Sequence, residues 1–559
     1  MSDQPATIFG IDLGTTYSCI SYVDKYGKAV IVPNKEHNLT TPSVVLFEGE
    51  HCIVGEEAKN SALLNPDAVV EMVKRHMGEA NWRFLHDDIE FTPEEISAYI
   101  LRKLALDAEE ALDMPVKDVV ITCPAYFGIA QREATVRAGE IAGLRVREII
   151  NEPTAAAITY GLQNEKDQVV LVYDLGGGTF DITIIAIKSG AITVIATGGD
   201  HNLGGRNWDE AVVVYLAQQW QAETGSLEDP TDYPETLQDL WLKAERAKCA
   251  LTTRKSTRVV VSHAGQLVRV PLTRDKFNEL TASLLDRTVI FTRMTMDEAC
   301  KRGYGKFDQI LLVGGSTKMP QIAERLAAEF RIPLRIFEPD EAVAKGAAIY
   351  GQKLLLNQQV EDRVAQMSGT PRGEIELHEV APSIRRRAQA AVASELGLKE
   401  ETVDKLVNTA ITNVASHSFG IIITIDHQTP RCREVIENLV LANDPLPSFR
   451  MHLYGTLEAN QETVELRIME NMEKTSIVEP ERYTAEEEIG KVTLLLPPGL
   501  PARTPIEVTF ELDRQGRLHV IGREPQSETH AEATFETRGG ITDQEMQSAR
   551  SRATSLTIL

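Results

Sequence analysis

Val172-Tyr173-Asp174-Leu175-Gly176-Gly177-Gly178-Thr179-Phe180-Asp181 lies between two apolar segments, Val169 to Val172 and Ile182 to Ile187. It reads as a strand, a glycine turn and a second strand. Three consecutive glycines carry no Cβ, so the bend can take positive φ and an anion can reach the amide N–H groups. Asp174 and Asp181 bracket the turn with carboxylates, which repel a phosphate unless a hard cation such as Mg²⁺ lies between them. A metal-bound nucleotide satisfies both halves of the pattern. A plain hairpin turn accounts for the glycines alone.

A second copy decides between these readings. Ile8-Phe9-Gly10-Ile11-Asp12-Leu13-Gly14-Thr15-Thr16-Tyr17-Ser18-Cys19-Ile20 repeats the order of apolar strand, Asp-Leu-Gly, hydroxyl-bearing turn and apolar strand, so that Asp12 matches Asp174 and Thr15 matches Thr179. Asp118 to Pro124 is echoed by Asp308 to Ser316. Glu152-Pro153 and Glu338-Pro339 each open an alanine-rich helix that is expected to run on to a glycine, Gly161 or Gly346. Three matches in one order indicate an internal duplication. They predict two related α/β lobes with both Asp-Leu-Gly hairpins in one cleft. No G-x-x-x-x-G-K-[ST] and no G-x-G-x-x-G after a strand occurs, which excludes a P-loop or dinucleotide-binding fold.

The chain has 559 residues, 43% of them hydrophobic, enough for several domains with cores of their own. A net charge of -24 argues against partners rich in phosphate, whether nucleic acid or anionic membrane. Six cysteines lie far apart with no C-x-x-C pair, so a reducing cytoplasm is expected and neither a zinc site nor a disulfide framework. No basic and apolar leader and no run of membrane-spanning length is apparent, so neither export nor membrane insertion is expected.

Ile11-Asp12-Leu13-Gly14-Thr15-Thr16, Lys74-Arg75, Pro124-Ala125-Tyr126-Phe127, Ile150 to Ala157, Asp174 to Asp181 and Val313-Gly314-Gly315-Ser316-Thr317 together resemble the nucleotide-binding domain of DnaK-type heat-shock chaperones, the seventy-kilodalton family. The likeness runs from about Ile8 to Gly351. It implies an α/β two-lobed, actin-like ATPase domain (1–356) that binds ATP or ADP with Mg²⁺ and K⁺. By that resemblance Asp12 and Asp174 hold Mg²⁺, largely through water. Thr15 and Thr179 contact the γ-phosphate, Lys74 supplies positive charge, and Glu152 and Asp181 orient or deprotonate the attacking water. Tyr17 and Asp340 help to position monovalent cations. Gly14, Thr16, Gly176, Gly177, Gly178, Gly204, Gly205, Gly314, Gly315 and Ser316 line the phosphates. Glu245 and Lys248 meet the ribose, and Thr252 lies near the base. Many members stack an arginine on each adenine face. This chain has Cys249 and Lys318 there, so a guanidinium sandwich is unavailable. Phosphoryl transfer asks mainly for positioning and charge neutralisation, which these residue types supply.

After a helix expected to end near Leu356, 357–413 departs from the family's short apolar tether and reads as a linker with a helical insertion, Pro382 to Leu396 and Lys399 to Ile411. From 414 to 540 a period of two predicts an all-β sandwich: Phe419 to Ile425, Glu434 to Leu441, Phe449 to Leu457, Thr463 to Met469, Lys491 to Leu496, Ile506 to Leu512 and Leu518 to Ile521. The family places its peptide-binding domain here, and Val464 falls at the floor of its apolar pocket. Thr542-Asp543-Gln544-Glu545 is a capping-box pattern that opens a short tail helix in 541–559; a lidless member is expected.

The implied function is an ATP-dependent chaperone that binds exposed apolar segments of unfolded clients, with a J-domain co-chaperone and a nucleotide exchange factor as partners. A small-molecule kinase of the same ATPase superfamily and a nucleotide-switched regulatory protein are the rival readings. Glu148 and Asn413 stand where the family has a basic and an acidic residue, which predicts a dedicated J-domain partner rather than a general one.

Overall fold

Valine- and isoleucine-rich runs form two sheets of matching topology in the computed structural model, which describes residues 7–559 apart from 50, 63, 164–165, 370–374, 376, 378, 428, 485–486, 515, 528 and 536–542. In the first lobe the spatial order is Arg145–Asn151, Asp118–Cys123, Ile8–Asp12, Tyr17–Val23, Ala29–Val32. In the second it is Leu334–Ile336, Gln309–Val313, Gln168–Leu175, Phe180–Lys188, Ala191–Asp200. Each aspartate-bearing strand is parallel to one neighbour (Ile8 opposite Asp118; Val170 opposite Gln309) and antiparallel to the strand after its glycine turn. The duplication read in the sequence is thus present in the register.

The two alanine-rich helices, Glu152–Gln163 and Ala342–Ser368, cross between the lobes. They run through Gly161 and Gly346 rather than stopping there. Gly346 marks a close approach, since a Cβ on it would lie 1.8 Å from the Ala155 carbonyl oxygen. The second helix also passes Leu356 and continues to Ser368, because Leu356, Val360 and Val364 recur on one face and bury against Ala388, Val392 and Ala393 and against Val403, Leu406 and Val407. Those partners lie on Pro382–Leu396, a helix with the expected limits, and on Glu400–Asn408. The latter stops short of Ile411. Ile411–Thr412 instead joins the second lobe's sheet as its outermost strand, parallel to Ile192 and Thr193, where β-branched side chains suit an open edge.

The sandwich has one sheet ordered Ile477–Val478, Arg433–Val440, Ser418–Ile425, Thr463–Asn471, Glu488–Leu495 and another ordered Ser448–Gly455, Pro505–Leu512, Leu518–Arg523, His530–Phe535. Alternate residues such as Phe419, Ile468, Leu494, Val508, Phe510 and Val520 fill the space between them. Sequence reasoning missed Ile477–Val478, which is only two residues long, and His530–Phe535, although its His-Ala-Glu-Ala-Thr-Phe alternates and Ala531 and Ala533 pack on the core. Ile129, at the start of the first-lobe helix Ile129–Ile141, is buried in the sandwich core, and its N–H donates to Glu470 Oε1 at 3.1 Å. Asn443 Oδ1 accepts from the Thr197 N–H (2.9 Å) and hydroxyl (3.0 Å) of the second lobe. The sandwich is docked on both lobes.

Thr542 of the capping-box pattern lies outside the described residues; the tail helix is Asp543–Ser555. Ala549 and Ala553 join the first lobe's core. Arg552 donates two hydrogen bonds of 2.7 Å to the fully buried Glu95 carboxylate, and Thr557–Ile558 pairs with His51–Val54. Among the described residues no helix is long and apolar enough to cross a membrane.

Candidate active site

Hairpin meets hairpin between the lobes. A Cβ on Gly177 would lie 2.2 Å from Thr16 Oγ1, and one on Gly178 2.4 Å from Thr15 Cγ2. None of Gly176, Gly177 and Gly178 takes positive φ, which corrects the expectation of a left-handed turn: Gly177 and Gly178 are required because the two turns touch. Positive φ occurs instead at Gly314 (82°), where a Cβ would strike Asp174 Oδ1 at 2.5 Å. The Ser316 hydroxyl donates to the Gly176 carbonyl (2.9 Å), as does the Gly205 N–H (2.9 Å), and the Arg206 N–H donates to Gly177 (2.8 Å). These bonds fix the phosphate-side turn to the N-terminus of the helix Gly205–Thr224, an end that favours anions.

At the base of a cavity of about 500 Å³, Lys74 pairs with Glu152, both under 10% exposed. Asp12, Asp174 and Asp181 surround the pair. Burial, and then the Glu152 carboxylate, pushes Asp12 up to about 7 and lifts Asp174 and Asp181 well above the usual carboxylate range. Asp12 accepts from the Thr122 hydroxyl at 3.1 Å. Asp181 Oδ1 is buried with no hydrogen-bond partner. Four carboxylates around one ammonium are short of positive charge, so the site fits a bound cation. Among the described residues no cluster of three or more His, Cys, Asp or Glu side chains could enclose a metal. Asp12 and Asp174 both line the cavity, with the carboxylate oxygens that a hard cation takes as ligands.

Thr15, Thr179, Gly14, Thr16, Gly176, Gly177, Gly314, Gly315 and Ser316 line the same cavity. Glu245, Lys248, Cys249, Thr252, Lys318 and Asp340 line it as well. Lys248 is bound to Asp209 (2.7 Å) and to the Gly205 carbonyl (3.1 Å), and Lys318 pairs with Asp340. Tyr17 turns its hydroxyl to Lys59 Nζ (2.8 Å), and Lys59 bridges the mouth to Glu245 (2.6 Å). Burial pushes the Glu245 carboxyl up, but Lys59 outweighs it and holds the pKa below its ordinary value.

Sequence reasoning missed Lys59, Glu71, Arg206, Asp209 and Trp241. Arg206 stacks over the Trp241 ring at 3.5 Å and approaches Glu71 at 3.6 Å. Its position directly after Gly204-Gly205 was an available signal; Lys59 and Glu71 act only through partners distant in the chain, which no local pattern reveals. Val464 lies on the sandwich strand Thr463–Asn471, half-buried against the core.

The family model described as "Hsp70 protein" matches residues 8–90 and 80–366. The chaperone protein DnaK of two strains of Halobacterium salinarum, R1 and NRC-1, is in each case 37% identical over 551 residues, covering 96% of this chain and 76% of the relative. Matching hairpins, the carboxylate-lined cavity and likeness over nearly the whole chain converge: the chain belongs to the Hsp70 family, as an ATPase and molecular chaperone of that type.

Proposed function

We propose that the cavity between the lobes hydrolyses ATP and that its nucleotide state sets the affinity of the β-sandwich for extended apolar client segments, with Val464 at the floor of the groove. The observation that carries this reading is the group of buried carboxylates around Lys74, set beneath two glycine hairpins that meet through Thr15 and Thr16. Asp12 and Asp174 would hold Mg²⁺, which when bound neutralises phosphate charge. Thr15 and Thr179 donate to the terminal phosphate. Lys74 adds charge that Glu152 keeps in place, and Glu152 and Asp181 orient the attacking water. Glu245 and Lys248 take the ribose, with Thr252, Cys249 and Lys318 beside the base. Tyr17 and Asp340 belong to a K⁺ site. The kinase reading leaves the sandwich without a role, although the likeness to DnaK covers 96% of the chain.

Residues 1–356 serve as the ATPase unit, 357–413 as the linker with its helices, and 414–540 as the client unit. A reducing cytoplasm suits six free cysteines, of which Cys249, Cys300 and Cys432 are exposed. A nucleotide exchange factor and a dedicated J-domain protein are the expected partners. Glu148 supports the dedicated one: it accepts a hydrogen bond from Tyr350 (2.6 Å), while the nearby Arg145 is held by Asp118 (2.6 Å).

Thr179→Ala and Glu152→Gln should each lower single-turnover ATP hydrolysis by at least roughly tenfold while ADP affinity, read by calorimetry, survives. Unchanged turnover in both would falsify the assignment of these residues.

A further inference from the structure

The strand Ser448–Gly455 ends the second sandwich sheet, with Pro505–Leu512 on one side and, among the described residues, no strand on the other. Its alternate residues Phe449, Met451 and Leu453 are 61%, 61% and 59% exposed, unusual for large apolar side chains in a row on one face. On the opposite face Ser448 is buried and Tyr454 packs on the sandwich core, so the strand is anchored. In an antiparallel pair every second residue directs its N–H and C=O away from its partner, and here those groups border the apolar stripe. No lysine or proline interrupts the strand; its charged side chain, Arg450, lies with His452 on the face opposite the apolar stripe and approaches Asp444 at 3.5 Å.

The neighbouring strands supply charge. Glu511 lies opposite Phe449 and Glu507 opposite Leu453, and across the same face Glu507, Glu511 and Glu532 outnumber Arg523. We propose that this edge is a second peptide site, which binds an extended polypeptide segment with alternating apolar and basic side chains by adding it as a strand. The apolar residues of such a segment would continue the Phe449–Met451–Leu453 stripe, and its basic side chains would reach Glu507 and Glu511. A second copy of this chain is a poorer occupant. Three side chains about 60% exposed offer on the order of 300 to 400 Å² of apolar surface, well below the roughly 800 Å² per partner of a stable interface. The site is distinct from the groove at Val464, which lies on the other sheet, paired with Leu494.

The test is hydrogen exchange on the full chain with ADP, with and without a ten-residue peptide alternating leucine and lysine. Amides of 449–455 should slow at least roughly fivefold with the peptide, both in the wild type and in Val464→Phe, in which the groove is obstructed. The protection should vanish in Met451→Lys, shrink in Met451→Ser, and be absent with a leucine–glutamate peptide. Unchanged exchange at 449–455, or protection equal in the wild type and Met451→Lys, overturns the proposal. So does protection that rises with protein concentration alone, the mark of self-pairing. Protection lost only in Val464→Phe returns the peptide to the groove, which leaves the proposed function standing and this edge without a role.

Discussion

Lys59 and Glu245 stand on helices of opposite lobes, and their 2.6 Å ion pair, with Tyr17 against Lys59, closes the mouth of the nucleotide cavity. Their side chains are 15% and 26% exposed, so the pair is partly shielded from water and outranks an ordinary surface bridge without being desolvated. Tyr17, Lys59 and Glu245 all line the cavity, so the contact joins the two lobes across it. Lys59→Ala should therefore speed ADP release on the order of fivefold, the equivalent of about 1 kcal/mol, and leave the hydrolytic step alone. Stopped-flow release of a fluorescent ADP analogue measures this directly; an unchanged rate would show that the pair does not gate exit. At this scale the sequence revealed Asp12, Asp174 and Thr179 because each sits in a repeated motif. It concealed Lys59 and Glu71, whose partners are brought near only by folding.

Linker placement depends on an element without a counterpart in a short tether. Lys353, on the helix Ala342–Ser368, donates to the carbonyls of Leu406 (3.1 Å) and Val407 (3.0 Å) in the last turn of Glu400–Asn408. A cation there satisfies carbonyls that lack helical partners and meets the negative end of the helix. Three residues on, the Ala410 carbonyl accepts from the Ile192 N–H (2.8 Å) and the strand Ile411–Thr412 begins. The insertion thus fixes where the linker strand starts. Lys353→Met keeps the stem and removes the bonds, so amides of 411–412 should exchange roughly tenfold faster while exchange in the lobe cores stays constant, by mass spectrometry. The helix Pro382–Leu396 was legible because a proline opens it and Gly397 closes it. Ile411 was misplaced in a helix because an isolated apolar residue does not say which surface will receive it, although its β-branched side chain suits the open sheet edge it joins.

Across the whole molecule the docked sandwich meets both lobes around His417. Its Nδ1 lies 3.4 Å from Glu470 and 3.2 Å from the Ser416 hydroxyl, with Arg132 of the first lobe and His201 of the second adding positive charge nearby. Burial lowers the His417 pKa, Arg132 and His201 lower it further, and Glu470 opposes them without prevailing. An exposed histidine titrates near 6.5. Above that value the imidazole is neutral in either state and has no effect on docking. As pH falls through 6.5 the undocked form takes up the proton more readily, so docking weakens toward the lower docked pKa. Limited proteolysis near Asn413 should accelerate between about pH 7 and pH 5.5, and His417→Gln should flatten that dependence. An equally steep profile in the variant would assign the effect to another group. The two lobes were legible from the repeated motifs and the sandwich from its period of two. Their mutual docking was not, since it rests on single polar contacts such as Asn443 with Thr197 that carry no pattern in sequence.

The pairing of Thr557–Ile558 with His51–Val54 also sets an order in time. On the ribosome, His51 and Cys52 emerge early, whereas the strand that covers their edge is made only after the sandwich. Throughout synthesis that edge stands open beside a growing chain rich in strand-forming segments. The first lobe reaches its finished form only after translation has passed the sandwich, so a nascent chaperone of this design is for a time a client in need of protection itself.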